Sequence, residues 1–430
     1  MRSAKSDMGV GRRSAITWGG LGMLATCVGL SFANYASATN TVPPQPAPRL
    51  AYAQSAIADE GEQQLRVDYK RLDQRLQRLM ASPEMVGLSI AVVEKGEIRF
   101  LKGYGVTQAG TSDPVTVGTV FRWASLSKGV AGTLLATLAG EGKLSLDDPV
   151  GRYAPSLKLP GNAQQRATIA DMLSHRLGLP HNAYDDRLEQ GGDPREIRGM
   201  LGQLSAVCAP GTCHGYQNIA FDAASEIVQT VTGDSYADAV RQKLFVPLGM
   251  TSASVTREGL VNARSWAKPH AGKRVLQVAE PYYRVPAAGG VNSSILDLGL
   301  WMRAQMGLAD GIVKPKVLSV VHTPLIETFR RGRYDRAMSQ ARYALGWRDY
   351  TYQGHALVGH RGAVNGYRSL ILFDPEGKNG VAMLWNSNTG RPVGMQLEIL
   401  DMLFDQPTQD WLDLDKRSIT AAIASRRHSG

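Results

Sequence analysis

Hydrophobic positions divide the chain into segments with strand patterns near both ends and segments with helical patterns between them. Near the start, apolar residues recur at helical spacing over residues 65–79. The stretch VGLSIAVVEKGEIRFLKGYG (86–105) predicts two strands joined by a Lys-Gly turn, and YRSLILFDPEGKNGVAMLWNSN (367–388) predicts a second pair of strands. The segment VGMQLEILDMLF (393–404) predicts a closing helix.

The middle of the chain has mainly helical patterns, as in ATIADMLSHRLG (167–178) and IAFDAASEIVQTVTG (219–233). Strands at both ends with helices between them predict an α/β (α+β) protein in which both ends build one sheet. We therefore expect a sheet-and-helix domain formed by residues 62–124 and 285–415. A helical domain over residues 125–284 is then inserted into it.

Composition is ordinary for a globular protein and gives no sign of a nucleic-acid partner. Of the 430 residues, 43% are hydrophobic and 20% are charged, and the formal net charge is +10. Part of this charge lies near the N-terminus, and no stripe of Arg and Lys with interleaved aromatic residues is found. We expect small-molecule substrates, no nucleic acid and a monomer.

The N-terminus has the pattern of an export signal. Arg12 and Arg13 precede an apolar run rich in small residues, and ASA at 36–38 fits a cleavage site. We predict a signal peptide over 1–38, a Pro-, Ala- and Gln-rich linker over 39–61, and a periplasmic or secreted protein without stable membrane insertion after cleavage. A retained membrane anchor is the alternative, and the Sec and twin-arginine routes both stay open. Lipidation at Cys27 is disfavoured because Thr26 is a poor residue just before the cysteine.

Cleavage would leave two cysteines, Cys208 and Cys213, in the short segment CAPGTC. Two cysteines in an exported chain favour a disulfide, and the Pro-Gly turn makes closure sterically plausible. The alternative is a metal site that adds His214, although no second ligand group has a known spacing. We expect no metal and no cofactor.

The segment FRWASLSKGVAG (121–132) contains a candidate nucleophile. Ser125 and Lys128 lie three residues apart, at the start of a run with apolar residues at helical spacing. Positions three apart share one face of a helix, so the hydroxyl would lie beside the ammonium. The same pattern at Ser265 and Lys268 lacks this context, because Pro269 cannot continue a helix.

Two further motifs follow the Ser-x-x-Lys pair in the chain: YQN at 216–218 and HRG at 360–362. The ordered set resembles the serine β-lactamases and penicillin-recognising enzymes, in particular the branch of class C β-lactamases, D,D-peptidases and esterases. Further likenesses are LSLDDPVGRYAP, TIADMLSHRLGLP, LFVPLGM, AAGGVNSSILDLGLWM and YALGW, and the resemblance covers most of residues 85–405. The resemblance implies a β-lactamase/transpeptidase-like fold: an antiparallel sheet flanked by helices, a helical domain, and an active site at their junction.

The resemblance also implies roles for residues. Ser125 would be the nucleophile, Lys128 would activate it, and Tyr216 would relay a proton to the leaving group. Asn218 would orient the lysine and bind the substrate amide. The backbone N–H groups of Ser125 and Ala363 would form the oxyanion hole, and Gly362 would permit close approach to the strand. A Cys208–Cys213 disulfide would stiffen the approach to Tyr216.

One departure leaves the substrate open. Many β-lactamases have Lys where this chain has His360, and histidine is largely neutral at pH 7. His360 when protonated, or Arg361 if its side chain reaches the cleft, could face a substrate carboxylate, although strand alternation points Arg361 to the opposite side. We expect a β-lactam, a D-amino-acid amide or an ester as substrate. The non-enzymatic alternative is a receptor for penicillins or peptidoglycan fragments.

Overall fold

The computed structural model describes residues 65–330 and 332–415. The predicted signal peptide (1–38) and linker (39–61) lie outside the described residues. No helix in the described ranges is both long and apolar enough to cross a membrane.

Twelve strands are formed within the described residues: β1 Gly87–Glu94, β2 Glu97–Gly105, β3 Phe121–Arg122, β4 His270–Ala271, β5 Arg274–Val275, β6 Asn292–Ser293, β7 Ile326–Glu327, β8 Gln340–Tyr343, β9 Arg348–Tyr352, β10 His355–Val364, β11 Tyr367–Asp374 and β12 Asn379–Trp385. The α-helices of the same ranges are α1 Tyr69–Met80, α2 Ser127–Gly140, α3 Ile169–Leu173, α4 Asp185–Glu189, α5 Pro194–Met200, α6 Ala223–Thr232, α7 Tyr236–Val240, α8 Arg257–Val261, α9 Pro286–Gly289, α10 Ile295–Gln305, α11 Pro315–His322, α12 Gly332–Arg336 and α13 Val393–Leu403.

Both ends of the chain contribute to one antiparallel sheet, as predicted. Its strand order is β2-β1-β12-β11-β10-β9-β8-β7. β1 pairs with β12, and Leu88 lies opposite Trp385, so the two predicted hairpins are neighbours. The strands β7, β8 and β9 extend the sheet beyond β10 and were not predicted from the sequence.

The sheet is covered on both faces, which explains why its central strands are apolar throughout. In β1 every residue is buried. Ala91 and Val93 join the core on the face that also contains α2, whereas Ile90 and Val92 join the core that contains α1 and α13. Successive side chains of a strand point to opposite faces of the sheet. A strand with a core on each face therefore needs apolar residues at both its odd and its even positions.

Helix α1 confirms the first predicted helix from Tyr69 onward, with Leu72, Leu76 and Leu79 on its buried face. Leu65, where the predicted pattern began, lies before the helix and is exposed. Helix α1 is fixed to α13 by the buried Arg75, whose Nη2 lies 2.6 Å from a carboxylate oxygen of Glu398. The first and last helices of the described chain therefore pack on the same face of the sheet.

Helix α2 passes through the middle of the molecule and is buried on nearly all sides. A Cβ atom built on Gly129 would lie 2.6 Å from the ring of Trp347, and one on Gly132 would lie 2.1 Å from the carbonyl oxygen of Leu345. The two glycines therefore let α2 approach the turn between β8 and β9 closely. This contact places the start of α2 beside the turn between β8 and β9.

Candidate functional site

Ser125 lies in a short 3₁₀ turn, Ala124–Leu126, that leads directly into α2. The preceding Ala124 has φ of 50°, in the left-handed region that non-glycine residues rarely adopt. Strand β10 packs against this turn: a Cβ on Gly362 would lie 2.1 Å from the carbonyl oxygen of Trp123 and 3.1 Å from the backbone nitrogen of Ser125. Any residue larger than glycine at position 362 would push the strand away from the serine.

Lys128 is fully buried, and its ammonium nitrogen has three oxygen neighbours. Nζ lies 2.7 Å from Oδ1 of Asn218, 2.9 Å from the carbonyl oxygen of Ala288 and 3.4 Å from Oγ of Ser125. Two of the three neighbours are carbonyl-type acceptors, and the third is the serine hydroxyl. The lysine is therefore aimed at Ser125 by two well-placed hydrogen bonds.

Tyr216 and Asn218 reach the same place from a loop that precedes α6. The ring centre of Tyr216 lies 4.7 Å from Nζ of Lys128. The amide nitrogen of Asn218 donates to Oδ2 of Asp185 at 2.6 Å, and its oxygen accepts from Lys128. Residues ninety positions apart in the chain are thus brought into one hydrogen-bonded group.

These side chains border a cavity of about 490 Å³. From the residues predicted to form the site, its wall includes Ser125, Tyr216, Asn218, His360, Arg361 and Ala363. The serine, Tyr216 and the end of β10 therefore meet around one space large enough for a small molecule. The buried Lys128 contacts Ser125 but, like Gly362, is not among the residues of the wall.

Comparison with known proteins identifies the family of the chain. The family model described as Beta-lactamase matches residues 72–403. The chain belongs to the beta-lactamase family. Its fold, an antiparallel sheet with flanking helices and intervening helical segments, is the β-lactamase/transpeptidase-like fold expected from the sequence.

Two solved structures are similar over most of the chain. The octameric penicillin-binding protein homologue from Pyrococcus abyssi has a TM-score of 0.72 and 27% identity, covering 81% of this chain and 80% of that one. A mutant of a class C beta-lactamase has a TM-score of 0.65 and 23% identity, covering 78% of this chain and 96% of that one.

Curated relatives align over most of this chain and over less of their own. "Unguisins hydrolase ungD'" of Aspergillus campestris (strain IBT 28561) is 28% identical over 70% of this chain and 58% of its own length. "Protein flp" of Staphylococcus aureus (strain N315) is 26% identical over 74% of this chain and 63% of its own length. This member of the beta-lactamase family thus spans about three fifths of each relative.

In this family member, a chain of hydrogen bonds joins the Tyr216 loop to β10. The N–H of Gln217 donates to Nδ1 of His175 at 3.2 Å, so a neutral His175 carries its proton on Nε2, 3.2 Å from the hydroxyl of Tyr343. That hydroxyl lies 2.9 Å from Nε2 of His360, whose Nδ1 lies 2.7 Å from the carbonyl oxygen of Arg361. Every donor has an acceptor when both imidazoles are neutral.

His360 does not supply the positive charge considered for it. Burial, with the nearby charges of Arg348 and Lys128, lowers its pKa well below the usual histidine value. Arg361 does line the cavity, contrary to the expectation from strand alternation, but its Nη1 lies 2.5 Å from a carboxylate oxygen of Asp335. Neither residue is therefore an unpaired cation in the cavity.

Besides Asp335, the partner of Arg361, two charged residues of the cavity wall were not predicted from the sequence: Asp185 and Arg348. Burial raises the pKa of Asp185 to about 6. Arg348 opens β9, lies opposite Gly359 of β10, and forms no salt bridge within the described residues. Neither belongs to a motif, but the position of Arg348 one residue after YALGW could have drawn attention to it.

Cys208 and Cys213 are joined by a disulfide, which leaves neither thiolate for the alternative metal site. The closed loop is held to residue 176, since the N–H of Gly211 donates to the carbonyl oxygen of Arg176 at 2.7 Å. It lies just ahead of the Tyr216 loop in the chain. Within the described ranges, no group of three or more His, Cys, Asp or Glu side chains has an arrangement that could hold a metal ion.

Proposed function

We propose that this protein is an exported serine hydrolase that forms an acyl-enzyme on Ser125 and opens the amide bond of β-lactams. The observation that carries the proposal is the position of Lys128 Nζ. Two N–H groups point to Asn218 and Ala288, and the remaining direction faces Oγ of Ser125 at 3.4 Å. A neutral amine held in this way directs its lone pair at the serine hydroxyl and can take its proton.

The reaction begins when Oγ of Ser125 attacks the lactam carbonyl carbon and Lys128 accepts the hydroxyl proton. The backbone N–H groups of Ser125 and Ala363 would stabilise the oxyanion of the tetrahedral intermediate. As the carbon–nitrogen bond breaks, a proton passes from Lys128 through Tyr216, whose ring lies 4.7 Å from Nζ, to the leaving nitrogen. Water then hydrolyses the Ser125 ester and releases the open acid.

Arg348 is the residue we assign to a carboxylate on the leaving-group side of the substrate. It lines the cavity beside β10, and its guanidinium lies 5.3 Å from the ring centre of Tyr343 rather than against a carboxylate. A guanidinium binds carboxylates with a fixed, two-pronged geometry. This supports substrates with a carboxylate, as β-lactams have, over neutral esters.

A penicillin receptor is the alternative from another class, and turnover separates the two. A hydrolase releases product in steady state, whereas a receptor binds one acyl equivalent per chain. Export is supported by the twin arginines, the apolar run and the ASA site of residues 1–38. The monomeric state stays a prediction.

The test is intact-mass spectrometry and product assay with nitrocefin, a carbapenem, a D-Ala-D-Ala peptide and a p-nitrophenyl ester. We expect the parent to acquire one acyl group on the peptide that contains Ser125, and Ser125→Ala to acquire none and to lose turnover. Ser265→Ala changes the other Ser-x-x-Lys sequence and is the matched control, which should behave as the parent. An adduct on Ser125→Ala, mapped to another residue, would show that the nucleophile is wrongly assigned.

A further inference from the structure

We propose that Asp185 makes this site selective for substrates with a protonated amino group on the acyl side of the scissile bond. The inference rests on the proposed function and deepens it by naming a substrate class. Among β-lactams, these substrates are the ones whose side chain is an aminoacyl group. Among linear substrates, they are amides of D-amino acids with a free amine.

The first step is the placement of the carboxylate. Asp185 lines the same cavity as Ser125, Tyr216 and Asn218. Its Oδ2 accepts from the amide of Asn218 at 2.6 Å, and the oxygen of that amide accepts from Lys128 at 2.7 Å. The carboxylate is therefore separated from the nucleophile-activating lysine by a single side chain.

The second step is the unused capacity of this carboxylate. Its other oxygen, Oδ1, is buried and has no hydrogen-bond partner among the described residues. A buried carboxylate oxygen without a donor is unfavourable, and binding a donor removes that cost. A ligand ammonium is a strong donor for a carboxylate, because the hydrogen bond is assisted by both charges.

The third step is the distribution of charge around the cavity. Arg348 belongs to the wall formed by the sheet, whereas Asp185 opens α4 on the wall formed by the segment between α3 and α6. Ser125 faces the same space. Arg361 and Asp335, which line the same cavity, pair with each other. A substrate with an amine on its acyl part and a carboxylate on its leaving group would therefore match the charges of Asp185 and Arg348.

Ionisation is compatible with this role at neutral pH. Burial raises the pKa of Asp185 to about 6, so the carboxylate is mostly charged at pH 7. An α-amino group is mostly protonated at the same pH.

The experiment compares two pairs of substrates that differ only in the amino group: ampicillin with benzylpenicillin, and D-alanine p-nitroanilide with propionic acid p-nitroanilide. kcat/KM is measured at pH 7.0 for the parent, Asp185→Asn and Asp186→Asn. The asparagine at 185 keeps one oxygen that can accept from Asn218, removes the charge and puts an N–H donor in place of the second oxygen. Asp186 is exposed, outside the cavity wall and next in the chain, so Asp186→Asn controls for the change in net charge.

For each pair whose members acylate Ser125, we expect the parent's kcat/KM to be higher for the amino member by about tenfold or more. This is the scale of one charge-assisted hydrogen bond. Because Asp185 also holds Asn218, Asp185→Asn can lower kcat/KM for both members, but the loss should be about tenfold larger for the amino member, which brings the ratio near one. Asp186→Asn should keep the parent ratio. A parent ratio near one, or an equal loss on both members in Asp185→Asn, would overturn the inference while Ser125 acylation still supports the proposed function. If mass spectrometry finds no Ser125 adduct and no product with either pair, both proposals fail.

Discussion

Replacing Tyr343 by phenylalanine tests whether the imidazole network joins the Tyr216 loop to β10. The Tyr343 hydroxyl lies 3.2 Å from Nε2 of His175 and 2.9 Å from Nε2 of His360, and all three side chains are buried. Tyr343→Phe removes only this oxygen. It leaves one N–H donor and one ring-nitrogen acceptor, both on buried side chains, without their partner.

The expected cost follows from those two groups. A buried polar group that loses its partner costs about 1–3 kcal/mol, and the longer bond to His175 contributes toward the lower end. We therefore expect Tyr343→Phe to reduce the free energy of unfolding by about 2–4 kcal/mol. Loss of the hydrogen bond to His360 should also make the end of β10 less well ordered. We therefore expect Tyr343→Phe to lower kcat as well as the free energy of unfolding.

Tyr236 provides a matched control within the same chain. It is also buried, but its hydroxyl has no hydrogen-bond partner in the described part of the chain. Tyr236→Phe removes the same oxygen without orphaning a neighbour, so the free energy of unfolding should change by less than about 0.5 kcal/mol or increase. Urea denaturation of the parent and both variants measures the difference. If the two substitutions lower the free energy of unfolding equally, the reasoning is refuted. The hydrogen bonds of Tyr343 would then contribute no more stability than a buried hydroxyl without partners.

Two further predictions concern titration and substrate charge. Burial lowers the pKa of His322 to about 3, so the folded state keeps it neutral while the unfolded chain protonates it below about pH 6.5. The stability advantage of the parent over His322→Gln should therefore shrink by about 1.4 kcal/mol between pH 7.5 and 5.5, measured by urea denaturation, and a constant difference would contradict the assigned burial effect. Arg348→Met should raise KM for a carboxylate-bearing β-lactam by about tenfold or more and leave a neutral p-nitrophenyl ester nearly unchanged. A larger loss for Arg361→Met would instead identify Arg361 as the carboxylate partner.

Local patterns in the sequence were sufficient for the hairpins, the terminal helices and the serine–lysine pair. Ser125 and Lys128 are three residues apart, and a helical start alone places them on one face. Three of the four strands in the two predicted hairpins, β1, β11 and β12, are buried on both sides, so their apolar runs were easy to recognise. The fourth, β2, lies at the edge of the sheet and is only partly buried. Tyr216 and Asn218 were predicted through the resemblance to a family, because nothing local ties them to Lys128.

The unpredicted residues Asp185 and Arg348 depend on tertiary contacts. Asp185 begins a helix of five residues that follows a left-handed residue, Tyr184, and carries no hydrophobic periodicity long enough to recognise. Arg348 begins a strand that pairs with β10 only once the whole sheet has assembled. The residue type and charge of Asp185 and Arg348 do not show where their side chains lie in the fold. Neither side chain could therefore be assigned to the cavity from the sequence.

The order of Lys128, Asn218 and Asp185 links these observations to the chemistry of the site. An ionised carboxylate has no donor, so Asp185 fixes the amide nitrogen of Asn218 toward itself and leaves the amide oxygen for Lys128. A carboxylate in direct contact with an amine favours the protonated form, which cannot act as a base. The neutral amide between them transmits orientation without forming that ion pair. A lysine held by two neutral oxygens and facing a serine hydroxyl can then exchange a proton with it, and the carboxylate behind the amide remains available for a second donor.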